Sequence, residues 1–110
     1  MATTILTKTK ASGDLKTDVE RLLAPLGGVG NFIKPNDKVL IKPNLNTADP
    51  YPASSAADFM ESVIEIIKSA DPARIIIGDS CTMLQNTAKV MECLNFYEVG
   101  RRLRSRNRQF

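Results

Sequence analysis

Histidine and tryptophan are missing from this chain of 110 residues, and cysteine occurs twice. Without histidine, a Ser-His-Asp triad, zinc held by Cys and His, and imidazole acid–base work are excluded for the chain acting alone. The cysteines, Cys81 and Cys93, lie twelve apart. A helical segment between them would separate them by roughly 18 Å. A disulfide needs Cα atoms within about 7 Å, so no bridge is expected. No CxxC pair occurs, and no apolar run approaches the ~20 residues of a membrane span. The first ten residues, MATTILTKTK, place their lysines after the apolar residues and lack the long apolar stretch of a secretory signal. A cytoplasmic protein is the expectation.

Against those absences stands an ordinary globular composition, 43% hydrophobic and 25% charged. The length fits one small domain, able to bury about 65% of its unfolded surface. The formal charge of +3 is unevenly spread. Residues 101–110 read RRLRSRNRQF, with five arginines and no acid, which leaves −2 on the first hundred residues. The expected organisation is a single domain over 1–100 followed by an arginine-rich tail.

Residues 3–9, TTILTKT, are rich in β-branched side chains and read as a first strand. Asp14 is placed to cap a helix over 15–26, with Leu15, Val19, Leu22, Leu23 and Leu26 at helical spacing. Gly27 reads as its stop. Residues 38–41 and 74–80, KVLI and RIIIGDS, are short apolar strands of the kind covered on both faces. Ser55 and Asp58 fit a capping pattern ahead of a helix to about residue 70, with Phe59, Val63, Ile66 and Ile67 on one face. A third helix is expected over 83–94, and a weaker helical pattern follows it. The order β-α-β-α-β-α predicts an α/β fold: a small parallel sheet in three layers, with right-handed crossovers and helices on its faces.

In such sheets ligands bind beyond the carboxyl ends of the strands. Two segments fall there. Lys42, Pro43, Asn44, Leu45 and Asn46 follow the 38–41 strand, and Gly78, Asp79, Ser80, Cys81 and Thr82 follow the next. The first offers a cation and two amides. The second, just before a helix, offers a carboxylate, two hydroxyls and free N–H groups at the helix start, which favour anions. Ser54 and Ser55 should open the middle helix at the same edge. Lys42, Asn44, Asn46, Asp79 and Ser80 are therefore the candidate ligand-binding residues, for a small anionic or polar molecule. The competing reading sends Lys42 to solvent and uses the asparagines for loop backbone. Asp79 and Ser80 likewise suit a simple cap or loop hydrogen bond. No second acid is placed to make Asp79 a metal site, and no nucleophile–base pair stands out. GGVG at 27–30 follows a helix and lacks dinucleotide-fingerprint spacing.

The stretch DVERLLAPLGGVGNFIKPNDKVLIKPNLN and the later RIIIGDS resemble the proteins grouped as domain of unknown function 362. That family shows a helix ending in Gly-Gly, a K-P-G-D-K-V turn, V-L-I-K-P-N, and a G-D-S loop. Here Asn36 replaces the turn glycine, while 39–44 carry the strand motif intact. The resemblance covers roughly residues 15–100 and implies the amino-terminal portion of a longer protein. It also implies an iron–sulfur association. This chain carries no set of cluster cysteines, and 52–55 (PASS) stand where many members have Thr-His-Pro. The cofactor is therefore left open. The resulting expectation is a ligand-binding domain, redox-associated by resemblance. Two alternatives stand beside it. One is a non-enzymatic assembly module that docks a partner chain through its helix faces or arginine tail; a second copy or a partner domain covering the sheet edge is the related expectation. The other, weaker, is nucleic-acid binding through the tail.

Overall fold

The computed structural model describes residues 3–103 and the backbone of 106–109. In chain order the elements are α1 (Leu15–Leu23), β1 (Lys38–Ile41), α2 (Ala57–Lys68), β2 (Arg74–Asp79), α3 (Thr87–Cys93), α4 (Phe96–Arg102) and β3 (Arg106–Gln109). α1 begins where the sequence places it, with the Asp14 side chain accepting from the Thr17 N–H at 3.2 Å. Pro25 ends the α-helical ladder, and the chain tightens into a 3-10 turn over Ala24–Leu26. Gly27 then turns it out at φ +96°. Gly28 N–H caps back onto Leu23 C=O at 2.9 Å.

A side chain at position 27 would meet two obstacles. The left-handed backbone disfavours any L-residue, and a Cβ there would stand 3.0 Å from Asn31 Cβ. Gly27→Ala is expected to lower unfolding free energy by about 1–2 kcal/mol, read from the urea midpoint at unchanged slope. A midpoint equal to the parent's would mean that the turn can re-form with ordinary dihedrals.

The sheet order is β1-β2-β3 and both pairings are parallel. Lys38 lies opposite Arg74 and Ile41 opposite Ile77, so the two apolar strands end together. Both connections step the same way across the sheet. Right-handed crossovers then put α2 and α4 on one face. The two helices are joined there by an Arg102–Glu61 ion pair and by Lys68 Nζ donating to Leu103 C=O at 3.0 Å. α1 packs against α2, and α3 against α4. The core lies under this helix layer and includes Met60, Ile64, Ile67, Ile75, Ile77, Val90, Met91, Phe96 and Val99.

Four expectations are corrected. Residues 3–9 form no strand: Ser12 N–H and Oγ are held by the Asp18 carboxylate at 2.9 and 2.7 Å, and the segment before them joins no ladder. Ile5 and Leu6 stay exposed. The anticipated β-α-β-α-β-α order is thus not the one that forms. The strands are also not covered on both sides by the described residues. Val39 and Ile41 turn toward the core, while Leu40 on the other face is 58% exposed. The third helix starts at Thr87, because Asn86 caps it by accepting from Lys89 N–H at 3.2 Å. Finally, α2 has Ala56 at its N-cap with no side-chain cap.

Past residue 103, the main chain of 106–109 pairs with β2. The arginines at 104, 106 and 108, on which the weaker nucleic-acid alternative rests, lie outside the described side chains. Among the described residues, no helix is long and apolar enough to cross a membrane.

Candidate functional site

β1 and β2 deliver their following loops to one edge of the sheet, and hydrogen bonds knit those loops into one unit. Leu45 is the anchor of the first. Its side chain is fully buried in the core, and its N–H donates to Asp79 Oδ2 at 2.8 Å. Asn46 C=O accepts from Thr82 N–H at 3.2 Å. On the other side, Asn44 N–H donates to Ser55 Oγ and Ser55 N–H donates to Asn44 C=O, both at 2.9 Å. Asn44 Nδ2 reaches Ala53 C=O at 3.4 Å, and Ser54 Oγ reaches Thr47 C=O at 3.1 Å. Ser55 thus holds the loop after β1; it does not cap α2.

Asp79 closes β2 and is 1% exposed. Its Oδ1 meets Lys42 Nζ at 2.8 Å and has no hydrogen bond besides that ion pair. Burial pushes this carboxyl up. The Lys42 ammonium and the N–H groups of Leu45 and Ser80 outweigh it and hold the group below the usual carboxylate range. The Lys42 side chain remains 69% exposed, so its ammonium touches both Asp79 and solvent.

The structure therefore brings Lys42, Asn44, Asn46 and Asp79 into one rim, with exposed Ser80 next along the chain. It does not leave the amides of the second loop free. Cys81 N–H donates to Thr87 Oγ1 at 3.2 Å, Thr82 N–H is taken by Asn46, and the next helix starts only at Thr87. The expected anion seat at a helix start after β2 is not formed. Cys81 Sγ lies 3.1 Å from Thr87 Oγ1, and Cys93 is exposed. Among the described residues, no three of His, Cys, Asp and Glu cluster as a metal site.

A cleft of about 740 Å³ opens beside the rim, between the start of α1, the loop after β1 and the first turn of α2. Asn44, Ser54 and Ser55 line it together with Leu15, Tyr51, Asp58 and Phe59. Sequence reasoning overlooked this cleft. Its one local signal was a tyrosine between two prolines at 50–52, an aromatic in a segment too rigid and polar to belong to the core. Phe59, expected on the buried face of α2, is 44% exposed there; Met60 and Ile64 face the core instead.

Comparison with known proteins adds the family. Over 38 residues the chain is 55% identical to the thylakoid-associated protein sll1697 of Synechocystis sp.. The matched stretch is 34% of this chain and 12% of that relative's length. No solved structure matches the chain. Residues 39–108 run from β1 through β3 and match a family profile over more than half the chain; the protein belongs to the family described as Domain of unknown function (DUF362).

Proposed function

We propose that this domain binds a polar small molecule at the carboxyl ends of its strands. The observation that supports the reading is the mutual tethering of three segments, 42–46, 78–82 and 51–58, at the edge where parallel sheets hold ligands. Each segment has a task in such a site. Asn44 and Asn46 orient the ligand, Asp79 and Ser80 form the opposite wall, and Lys42 offers the solvent-facing half of its ammonium. The cleft beside Asn44 falls within the size range of small-molecule pockets. Lys42 already answers Asp79 and the loop amides are bonded, so the balance favours a polar ligand over a strongly anionic one.

The reading concerns binding, not a reaction, and cytoplasmic placement is part of the proposal. Redox association rests on family resemblance and involves no residue of this rim. The test is a thermal melt with low-millimolar phosphate, pyrophosphate, nucleosides and nucleotides, with Tyr51→Ala alongside. Tyr51 lines the cleft and is 72% exposed, so its removal leaves the fold intact. A ligand at about 100 times its Kd is expected to add about 2.7 kcal/mol of stability. The shift should appear in the parent and shrink in the variant. Melts indifferent to every probe, or a shift that Tyr51→Ala leaves whole, would overturn the proposal. Lys42→Ala is a poor probe of binding, because it strips the cation from a buried carboxylate.

A further inference from the structure

Resting on the reading above, we infer that the cleft between α1 and the start of α2 selects a flat aromatic ring whose edge carries N–H donors, an amidine or an exocyclic amine, and rejects rings bearing a carboxylate. The walls supply the ring selection. Two of the chain's six aromatic residues, Tyr51 and Phe59, line this cleft, and both remain exposed, at 72% and 44%. Leu15 from α1 adds an aliphatic surface. Exposed apolar side chains scattered singly carry no message, but three around one opening make a ring-binding surface.

The polar lining supplies the donor selection. Asp58 is the one charged residue of the lining, and no lysine or arginine is among its residues. Asp58 Oδ1 accepts from Phe59 N–H at 2.7 Å, which leaves Oδ2 to receive a ligand N–H. Asn44 donates one side-chain N–H to Ala53 C=O at 3.4 Å, and its side-chain carbonyl is left to accept. The lining therefore carries one negative charge and no side-chain cation. A donor edge finds partners in both groups, whereas a carboxylate meets Asp58 at close range with no cation to offset it. A cationic donor gains further from the faces of Tyr51 and Phe59.

The experiment uses two ring pairs of matched shape, benzamidine against benzoate and adenosine against purine riboside, titrated calorimetrically into the full chain, Asp58→Asn and Tyr51→Ala. Benzamidine is expected to bind at least tenfold more tightly than benzoate, and adenosine more tightly than purine riboside. Asp58→Asn should bring the benzamidine–benzoate ratio to within about threefold, and Tyr51→Ala should weaken both amine-bearing rings. Ligand-free melts of the variants check that each is folded. Benzoate binding as well as benzamidine, or a preference that survives Asp58→Asn, overturns the inference. If no ring binds but another polar probe raises the parent melt in a Tyr51-dependent way, the ligand class is wrong and the binding role stands. If nothing binds, both fall.

Discussion

Replacing Leu45 with alanine is expected to cost about 2–5 kcal/mol of unfolding free energy, the range for truncating a fully buried leucine. Leu45 sits in an irregular loop, where such a loss is unusual. It is fully buried among Met60, Ile64, Ile75, Ile77 and the helix residues above them. Its backbone N–H is also the donor to Asp79. Truncation opens a cavity at the point where the loop is tied to the core, and relaxation into that cavity would pull on the hydrogen bond. For a small domain with a total of about 5–15 kcal/mol, that is a large share. Leu40→Ala is the matched control: the same substitution five residues earlier, on the exposed sheet face, expected to cost under about 1 kcal/mol. Urea titrations of both variants make the comparison. Equal costs would mean that the loop after β1 is not part of the core.

That pair of leucines also marks how far the sequence could be read. Apolar runs bounded by turns place β1 and β2 closely, Asp14 and Gly27 set the ends of the first helical segment, and the parallel-sheet rule brings 42–46 and 78–82 to one edge. These signals are local or follow from topology. Other features depend on partners distant in sequence. Residues 3–9 have strand-like chemistry, but a strand exists only when a ladder receives it. Residues 106–109 have no apolar pattern at all, and their pairing to β2 is a main-chain event that side-chain periodicity does not announce. Local pattern suggested a helix from 83, and the Asn86 cap set its start four residues later. At the rim, residue choice came from topology, whereas the bonding of those residues did not. The Lys42–Asp79 pair joins residues 37 apart, across α2 and β2, and Ser55 serves Asn44 instead of its own helix.

Asp79→Ala is expected to be the other costly change, about 2–4 kcal/mol at neutral pH, most of it from the buried Leu45 N–H left without an acceptor. Lys42→Met should cost less, about 1–2 kcal/mol, because the lysine end is mostly in water and solvent partly replaces it. The pH dependence separates the two residues. Asp79 is held below the usual carboxylate range in the folded protein. A lowered folded value means that the unfolded chain takes up the proton first as pH falls. The contribution is therefore present above the unfolded value, about pH 4, and is lost as pH falls from there through the lowered folded one.

Asp14, Asp18 and Glu98 are held low too, by hydrogen bonds from Thr17, Ser12 and Arg101 respectively, and they keep those partners in every variant. Subtracting the Asp79→Asn stability curve from the parent's thus isolates Asp79. The difference should shrink on acidification in the parent background and shrink less in the Lys42→Met background, where the lowering is weaker. Urea titrations of the four proteins from pH 7 to 3 supply the curves. Equal acid limbs in the two backgrounds would mean that Lys42 points to water and leaves Asp79 to the backbone. The ammonium would then be a whole charge available to a ligand, and the case for an anionic ligand over a polar one would be restored.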